Sequence, residues 1–398
     1  GVFSPFEERW DSLEHQERYE NGGVVAPDDF YGFGHIELTV GHGSMTGAHH
    51  YQWARAKGVD HDLLRCGLDP KADIPGRRDE WWQIHPAPFP DDAYSTTFVT
   101  ERTIDFIETA EADGEPWMAW CSYPDPHHPL SPPEPWFSRH DPDDIDLPAT
   151  FADPGDDWAP HLGVLRSLDP SMRGHGQYVI PFGPTPEQAR ACIAVTYGMI
   201  EAIDAGIGRI LATLDRLGAT DDTIIVFTSD HGDMMGDHGL MLKGVMHFQG
   251  CLRVPMVVNT PGRNGARTTS LAAGMDLPHT ILDLCGVAEF QGMQGVSLVP
   301  LLDDPSGTLR DDVLVEDDFP ASALGGLLPL KTRTVVTDTH RYTRDSNGFE
   351  MLYDLDDDPG ELVNLAARDR AARSSMVDTM VDALLRADDL TRTEPVTP

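Results

Sequence analysis

An aspartate and a histidine stand at the end of an apolar, strand-like run. The run 224–228 (IIVFT) leads directly into Ser229, Asp230, His231 and Gly232. In open α/β sheets, ligands bind beyond the carboxyl ends of the strands. Aspartate supplies a hard oxygen and neutral histidine a nitrogen, and the pair suits Ca²⁺, Mg²⁺, Mn²⁺ or Zn²⁺. Asp230 and His231 are therefore candidate metal ligands; the alternative is that Asp230 caps a turn and His231 packs.

A lysine follows inside an apolar segment. Lys243 is one of only four lysines in the chain, and its neighbours in MLKGVM are apolar. A partly desolvated ammonium group needs an anion. Lys243 is therefore a candidate for binding an anionic substrate. The alternative is a surface lysine whose aliphatic stem covers apolar residues.

A histidine lies in a proline-rich loop. The apolar run 117–123 is predicted to be a central strand, and PDPHHPLSPPEPW (124–136) follows it as a stiff loop. A fixed imidazole at the end of a strand suits general-acid catalysis or hydrogen bonding to an anion. We predict this role for His127. His128 is the competing choice, and an ordinary surface histidine is the alternative.

Apolar spacing and end signals predict the elements that would position these residues. A long helix is predicted from about residue 186 to 217, where Thr185 can cap it and Gln188 completes a capping box. Further helices are predicted over 95–112, 276–284 and 369–388, and strands over 223–228, 254–258, 313–316, 334–338 and 351–353. A helix followed by a buried strand is typical of an α/β sheet. We place a boundary near 303–311, which divides the chain into domains 1–305 and 306–398.

Composition excludes several classes of partner. The 66 acidic and 29 basic residues leave a formal charge of −37, so the basic surface that nucleic-acid binding requires is missing. The sequence contains no run of about 18 apolar residues, which is the length that would indicate a membrane span. Residues 1–20 lack the apolar core of a signal peptide, so we favour a cytoplasmic location over secretion. The acidity is typical of a salt-adapted organism, with the codon bias of a GC-rich genome as the alternative.

The cysteines do not form a recognisable framework. Their number is odd and there is no C-x-x-C pair among Cys66, Cys121, Cys192, Cys251 and Cys285. Four of them, all but Cys66, sit among apolar neighbours. We therefore expect free, buried thiols rather than disulfides or a zinc site.

Taken together, these motifs resemble the sulfatase family of the alkaline phosphatase superfamily. The resemblance rests on PHxP, SDHG and KGxxxFxGxxRxP in that order, closing with LYDLDDDPGELVNLA (352–366). YGFGHIEL (31–38) and MQGVSLVPLL (293–302) are similar to framework segments of the family. The resemblance implies an alkaline-phosphatase-like α/β fold: a large mixed, mostly parallel sheet flanked by helices, plus a small C-terminal antiparallel sheet with one helix.

The resemblance also implies roles for the candidate residues. The reaction would be hydrolysis of a sulfate monoester of a small molecule or a saccharide. Asp230 and His231 would hold one divalent metal ion, Ca²⁺ first and Mg²⁺ or Mn²⁺ as alternatives, where many relatives have Asp-Asn. Lys243 would contact the sulfate ester, and His127 would contact it and help to protonate the leaving oxygen. A phosphonate or phosphate ester hydrolase of the same superfamily is the alternative, because a site with a metal and a cation suits both ester types.

The chain departs from the family at the nucleophile. The family forms formylglycine from the first residue of C/S-x-P-x-R, and no Cys or Ser here begins that motif; CSYPDP at Cys121 has its proline one place late and no arginine. VVAPDDF (24–30) imitates the paired metal-binding aspartates with Asp28 and Asp29, but it precedes YGFGHIEL, which is out of order. We therefore expect roughly 100 residues of a first βαβ region ahead of Gly1. An inactive, truncated sulfatase-like protein is the third alternative.

Overall fold

The computed structural model describes residues 16–20, 30–69, 71–168, 180–318 and 331–387. The chain forms two compact units. The first comprises Gly1–Leu147, Pro170–Tyr178 and Pro184–Thr223, and the second comprises Pro148–Asp169, Val179–Gly183 and Ile224–Pro398. The boundary that the sequence predicts near residues 303–311 lies inside the second unit and stays a prediction.

Helices and short antiparallel strands make up both units. In chain order they are α1 (Gln16–Glu20), β1 (Thr39–Val40), β2 (Gly47–Ala48), α2 (His49–Ala56), α3 (Ser95–Asp113), α4 (Pro160–Arg166), α5 (Pro186–Leu217), β3 (Ile225–Thr228), α6 (Gln249–Leu252), β4 (Met256–Asn259), α7 (Asp276–Leu284), α8 (Val299–Asp303), β5 (Asp312–Asp318), β6 (Lys331–Thr337), β7 (His340–Asp345), β8 (Glu350–Asp354) and α9 (Arg370–Ala387).

The two long helices of the first unit, α3 and α5, pack against each other. At the start of α5 the Gln188 N–H donates to Thr185 Oγ1 over 3.2 Å, and the Thr185 N–H donates to Gln188 Oε1 over 2.8 Å. This is the predicted capping box, and it satisfies two backbone donors that the first turn leaves without partners. Gly218, with φ 74°, ends the helix. The predicted bounds of α5 are confirmed.

Helix α5 is long and apolar enough to cross a membrane by length and composition, but more than half of its apolar stretch is buried within the protein. Cys192, Val195 and Met199 are fully buried along it. A helix that buries an apolar side in this way is a core helix of its unit.

A four-stranded antiparallel sheet in the order β5-β6-β7-β8 belongs to the second unit. Val335 pairs with Tyr342, and Tyr342 pairs with Leu352, so the central row of the sheet is apolar and fully buried. Met376 and Met380 of α9 pack on that row. The predicted small sheet with one helix is confirmed. Strand β7 was not predicted, because its sequence HRYTRD lacks the apolar alternation that marks a strand.

The pairing of β3 differs from the prediction. Strand β3 runs antiparallel to β4, with Phe227 opposite Val257, and these two side chains are 43% and 56% exposed. Residues 117–123 form no strand, and Trp120 is 72% exposed. An apolar run becomes a buried strand only when neighbours pair with its edges and layers cover its faces. Among the described residues no strand pairs with 117–123, and the mostly parallel pairing is not seen there.

The five cysteines are all free thiols, as predicted. Cys192 and Cys251 are buried, but Cys121 and Cys285 are exposed, so the expectation of burial is wrong for those two. Apolar neighbours along the chain do not determine which side of a segment faces the core.

Candidate active site

Asp230 and His231 lie just beyond the end of β3, separated from it by Ser229. Their side chains are 82% and 41% exposed, so neither residue is part of a packed core. The His231 backbone N–H donates to Asp230 Oδ1 over 2.9 Å. This contact turns the carboxylate toward the imidazole, and Asp230 Oδ2 lies 3.4 Å from His231 Nε2.

The geometry of this pair fits a divalent cation. His231 Nδ1 donates its proton to the Gly232 carbonyl over 2.8 Å, so in the neutral ring Nε2 carries the lone pair. Fixing a histidine ligand through its other nitrogen is the usual arrangement at metal centres. Protein ligands lie about 2.0–2.6 Å from such cations, so a nitrogen and an oxygen at the observed spacing can share one ion.

Two ligands do not complete a metal shell. No group of three or more His, Cys, Asp or Glu side chains suited to a metal occurs in the part of the chain that the structure describes. Asp28 and Asp29, the other acidic pair considered from the sequence, lie outside the described residues. The pair Asp230 and His231 is therefore a two-ligand candidate.

Residue 232 must be glycine, because the backbone of Gly250 approaches it closely. A Cβ atom on Gly232 would lie 2.0 Å from the carbonyl oxygen of Gly250. The Gly232 N–H donates to the Cys251 carbonyl over 2.9 Å. No side chain fits between these backbones. This contact joins the metal-candidate pair to the segment that follows Lys243.

Asp233 organises the loop that leads to Lys243. Its Oδ1 accepts hydrogen bonds from the Met235 N–H at 3.2 Å and the Leu242 N–H at 3.0 Å. Met235 and Leu242 have φ values of 44° and 71°, in the left-handed region that is unfavourable for residues other than glycine. Such backbone persists only where its surroundings hold it. The Asp233 carboxylate therefore helps to fix the backbone on which Lys243 stands.

The Lys243 ammonium is partly buried, and the charges of two carboxylates act on it. Burial lowers the pKa of Lys243, while the charges of Asp233 and Asp230 raise it. Burial also raises the pKa of Asp233, against the opposing effect of the Met235 N–H and the Lys243 charge. Leu242 and Val245 on either side are buried. Within the described ranges no carboxylate forms a direct ion pair with Lys243, so its charge can accept an external anion.

His127 lies in the first unit, on the loop that follows residues 117–123. Its Nδ1 donates to the His128 carbonyl, which fixes the neutral tautomer with the lone pair on Nε2. The loop is anchored by Asp125, which is buried and accepts hydrogen bonds from Thr96 Oγ1 at 2.8 Å and the Tyr94 hydroxyl at 3.2 Å. Burial raises the pKa of Asp125 to about 6, although both hydrogen bonds oppose the shift.

Asp230, His231 and Lys243 thus lie in the second unit, and His127 lies in the first. Sequence reasoning missed Asp233, although its place within SDHGD could have indicated it. It also missed His42, whose ring stacks on that of His127. The flanking glycines of GHG were the only local signal.

Two known protein families match most of the chain. Residues 16–287 match the family described as Sulfatase. Residues 236–388 match the family described as N-sulphoglucosamine sulphohydrolase, C-terminal. The first match alone covers more than half of the chain.

Individual relatives agree with the family match. An arylsulfatase of Clostridium perfringens is 30% identical over 321 residues, which cover 79% of this chain and 60% of the relative. A choline-sulfatase of Rhizobium meliloti is 28% identical over 267 residues, which cover 66% of this chain and 49% of the relative. The chain therefore spans about half to three fifths of the length of these curated relatives.

A solved structure shares the fold. The phosphonate monoester hydrolase of Agrobacterium radiobacter is 26% identical, with a TM-score of 0.69, over 87% of this chain and 71% of that chain. The protein therefore has the alkaline-phosphatase-like α/β fold that the sequence motifs imply, with the small antiparallel sheet near its C-terminus.

Proposed function

This chain belongs to the sulfatase family of the alkaline phosphatase superfamily, and from that premise we propose that it hydrolyses a sulfate monoester. One observation carries the proposal beyond family membership. Lys243 presents a partly buried ammonium with no direct counter-ion among the described residues, on the same segment as the paired Asp230 and His231. The single negative charge of a sulfate monoester can supply the direct ion partner that this ammonium lacks among the described residues.

Each residue has a distinct task in this proposal. Lys243 binds the sulfate oxygens and stabilises the charge that develops on them. His127 acts in its doubly protonated form: it keeps the Nδ1 proton on the His128 carbonyl, gives its Nε2 proton to the leaving oxygen and is left as the neutral ring with its lone pair on Nε2. Asp230 and His231 would hold a divalent ion, Ca²⁺ first and Mg²⁺ or Mn²⁺ as alternatives, which polarises the ester when bound. The family's formylglycine nucleophile is not assigned to any residue here, because none begins C/S-x-P-x-R.

A sulfated saccharide or another small sulfate ester is the proposed substrate. The match of residues 236–388 to a family named for N-sulphoglucosamine sulphohydrolase supports the saccharide, and the choline-sulfatase relative supports the small ester. The strongly acidic composition means that an anionic substrate is repelled at long range, so local groups such as Lys243 must provide the attraction.

Hydrolysis of 4-nitrophenyl sulfate by the purified protein, with Ca²⁺, Mg²⁺ or Mn²⁺ added in turn, tests the proposal. We expect turnover that is lost in Lys243→Ala and in Asp230→Ala. Lys331→Ala is the matched control, because Lys331 is an exposed lysine already paired with Asp318, and it should retain full activity. Absence of turnover with every metal would contradict the proposal and favour the inactive sulfatase-like protein.

A phosphonate monoester is the second candidate substrate. Asp230 is followed by His231 rather than by the asparagine common in sulfatases, and the fold matches a phosphonate monoester hydrolase. The ratio of kcat/KM for a phenyl phosphonate monoester to that for 4-nitrophenyl sulfate, measured on one preparation, decides between them. A ratio above one would favour the phosphonate, and a ratio below one the sulfate.

A further inference from the structure

The imidazole of His127 lies in a stack of histidine rings. The centroids of His42 and His127 are 3.5 Å apart, and the ring planes differ by only 16°. The ring of His128 also stacks on His127, with centroids 4.1 Å apart and planes 25° apart. His128 is a neighbour in sequence, whereas His42 comes from the distant loop between β1 and β2. The contact with His42 is therefore a product of the fold.

The backbone around His42 contacts the loop that carries His127. The Ser44 N–H donates to Ser131 Oγ over 2.8 Å in a buried hydrogen bond. A Cβ atom on Gly43, whose φ is 56°, would lie 2.6 Å from the Pro129 carbonyl oxygen and 2.5 Å from Ser131 Oγ. Only glycine allows this approach. The residues that follow His42 thus lie directly against the loop that carries His127.

Two properties of the His127 ring matter for proton transfer: which nitrogen carries the proton in the neutral ring, and how the ring is oriented. The His128 carbonyl accepts from Nδ1 and so determines the tautomer. A hydrogen bond at Nδ1 does not by itself prevent the ring from tilting about its own bonds. A flat ring stacked face to face restricts that tilt, because a tilt would break the ring contact.

We propose that His42 is a positioning residue for His127, holding its ring so that Nε2 keeps one direction for proton transfer. This inference rests on the proposed role of His127 in ester hydrolysis and extends it to a residue from another loop. His42 itself transfers no proton in this account. Its contribution is the flat face of its ring.

The side-chain NMR signals of His127 test the proposal without any need for turnover. The purified protein is labelled with ¹⁵N-histidine, and the His127 signals are identified by their loss in His127→Gln. In His42→Leu, which fills the space without a flat ring, we expect the His127 ring to tilt and its hydrogen bond to the His128 carbonyl to weaken, so that both nitrogen shifts move toward the average of the two tautomers. We also expect the ring-current shift of the carbon-bound protons to decrease to the part that the His128 ring contributes. In His42→Phe, which restores a flat ring, we expect both features to be kept.

His35→Ala is the control, because His35 lies in the same unit and its ring packs near Phe106 instead. It should leave the His127 signals unchanged. Signals of His127 that are identical in His42→Leu and in the native protein would overturn the proposal. So would a His42→Phe variant that resembles His42→Leu, because the flat ring would then not be the cause.

Kinetics add a readout that a purely structural role would not move. A poorly positioned proton donor matters most for poor leaving groups. We expect His42→Leu to lower kcat for an alkyl sulfate by about tenfold, with a much smaller effect for 4-nitrophenyl sulfate and little change in KM. An equal loss for both esters would overturn the positioning role. If neither ester is hydrolysed by the native protein, the proposed function fails, while the NMR comparison still decides the role of His42.

Discussion

His238 and Asp153 form a buried pair in the second unit. Nδ1 of His238 donates to Asp153 Oδ2 over 2.7 Å, and the two side chains are 1% and 3% exposed. The ring of His238 also stacks on Phe248, with centroids 4.0 Å apart. Phe248 belongs to the same segment as Lys243. The pair therefore braces the buried cluster to which Val245, Met246 and Phe248, just after Lys243, belong.

Removal of the Asp153 carboxylate should destabilise the second unit. Asp153→Ala leaves a buried imidazole donor without a partner, and we expect the free energy of unfolding to fall by about 3 kcal/mol. Urea unfolding measures the loss. The control is Asp303→Ala, which breaks the more exposed ion pair with Arg263 and should change stability by less than about 1 kcal/mol. Equal losses in the two variants would contradict the bracing role.

Two substitutions of Asp233 should separate the effect of its hydrogen bonds on sulfate affinity from the effect of its charge. Asp233→Ala removes the acceptor of the Met235 and Leu242 N–H groups, so the loop that carries Lys243 relaxes. We expect the affinity for inorganic sulfate, measured by calorimetry, to fall about five- to tenfold, as for one lost hydrogen bond of this kind. Asp233→Asn keeps an oxygen acceptor and removes a negative charge, so sulfate should bind at least as tightly as to the native protein. Weaker binding in both variants would show that the charge is needed.

Metal binding should depend on Asp230 and His231 together. We expect Asp230→Ala and His231→Ala each to weaken Ca²⁺ binding by more than about tenfold, because each removes one of two converging ligand atoms. Calorimetric titration measures the affinity. Asp221→Ala changes an exposed aspartate in the turn before β3 and should leave binding intact. Unchanged affinity in Asp230→Ala would place the metal elsewhere.

Asp125 should give the first unit a stability that falls as the pH rises. Burial raises its pKa to about 6, whereas the pKa of an aspartate in the unfolded chain is about 3.9. The native state therefore holds the proton more tightly. The stabilisation that comes from this carboxyl is fully present below about pH 4 and is lost as the pH rises to about 6. The gap between the two pKa values corresponds to about 3 kcal/mol at pH 7.

Asp125→Asn removes this titration. Unfolding free energies of the variant and the native protein, measured between about pH 4.5 and 7, should diverge in favour of the variant as the pH increases. Parallel profiles over that window would contradict the raised pKa of Asp125.

Much of the local structure could be predicted because its causes are local. Helix α5 begins at a capping box and ends at a glycine, and both signals lie within a few residues of the ends they determine. The position of Asp230 and His231 at the end of a strand follows from the apolar run before them. The order of the motifs was sufficient to indicate the family, which the comparisons confirm.

Contacts between distant segments were decided only by the tertiary structure. The sequence predicted a buried strand at residues 223–228, but burial depends on which neighbours cover it, and Phe227 is left half-exposed beside β4. His42 and His127 are far apart along the chain, so no spacing rule relates them. The sequence by itself determined which residues could do chemistry and where helices begin. The fold determined which of those residues meet, because long-range packing, rather than local preference, sets the distances between them.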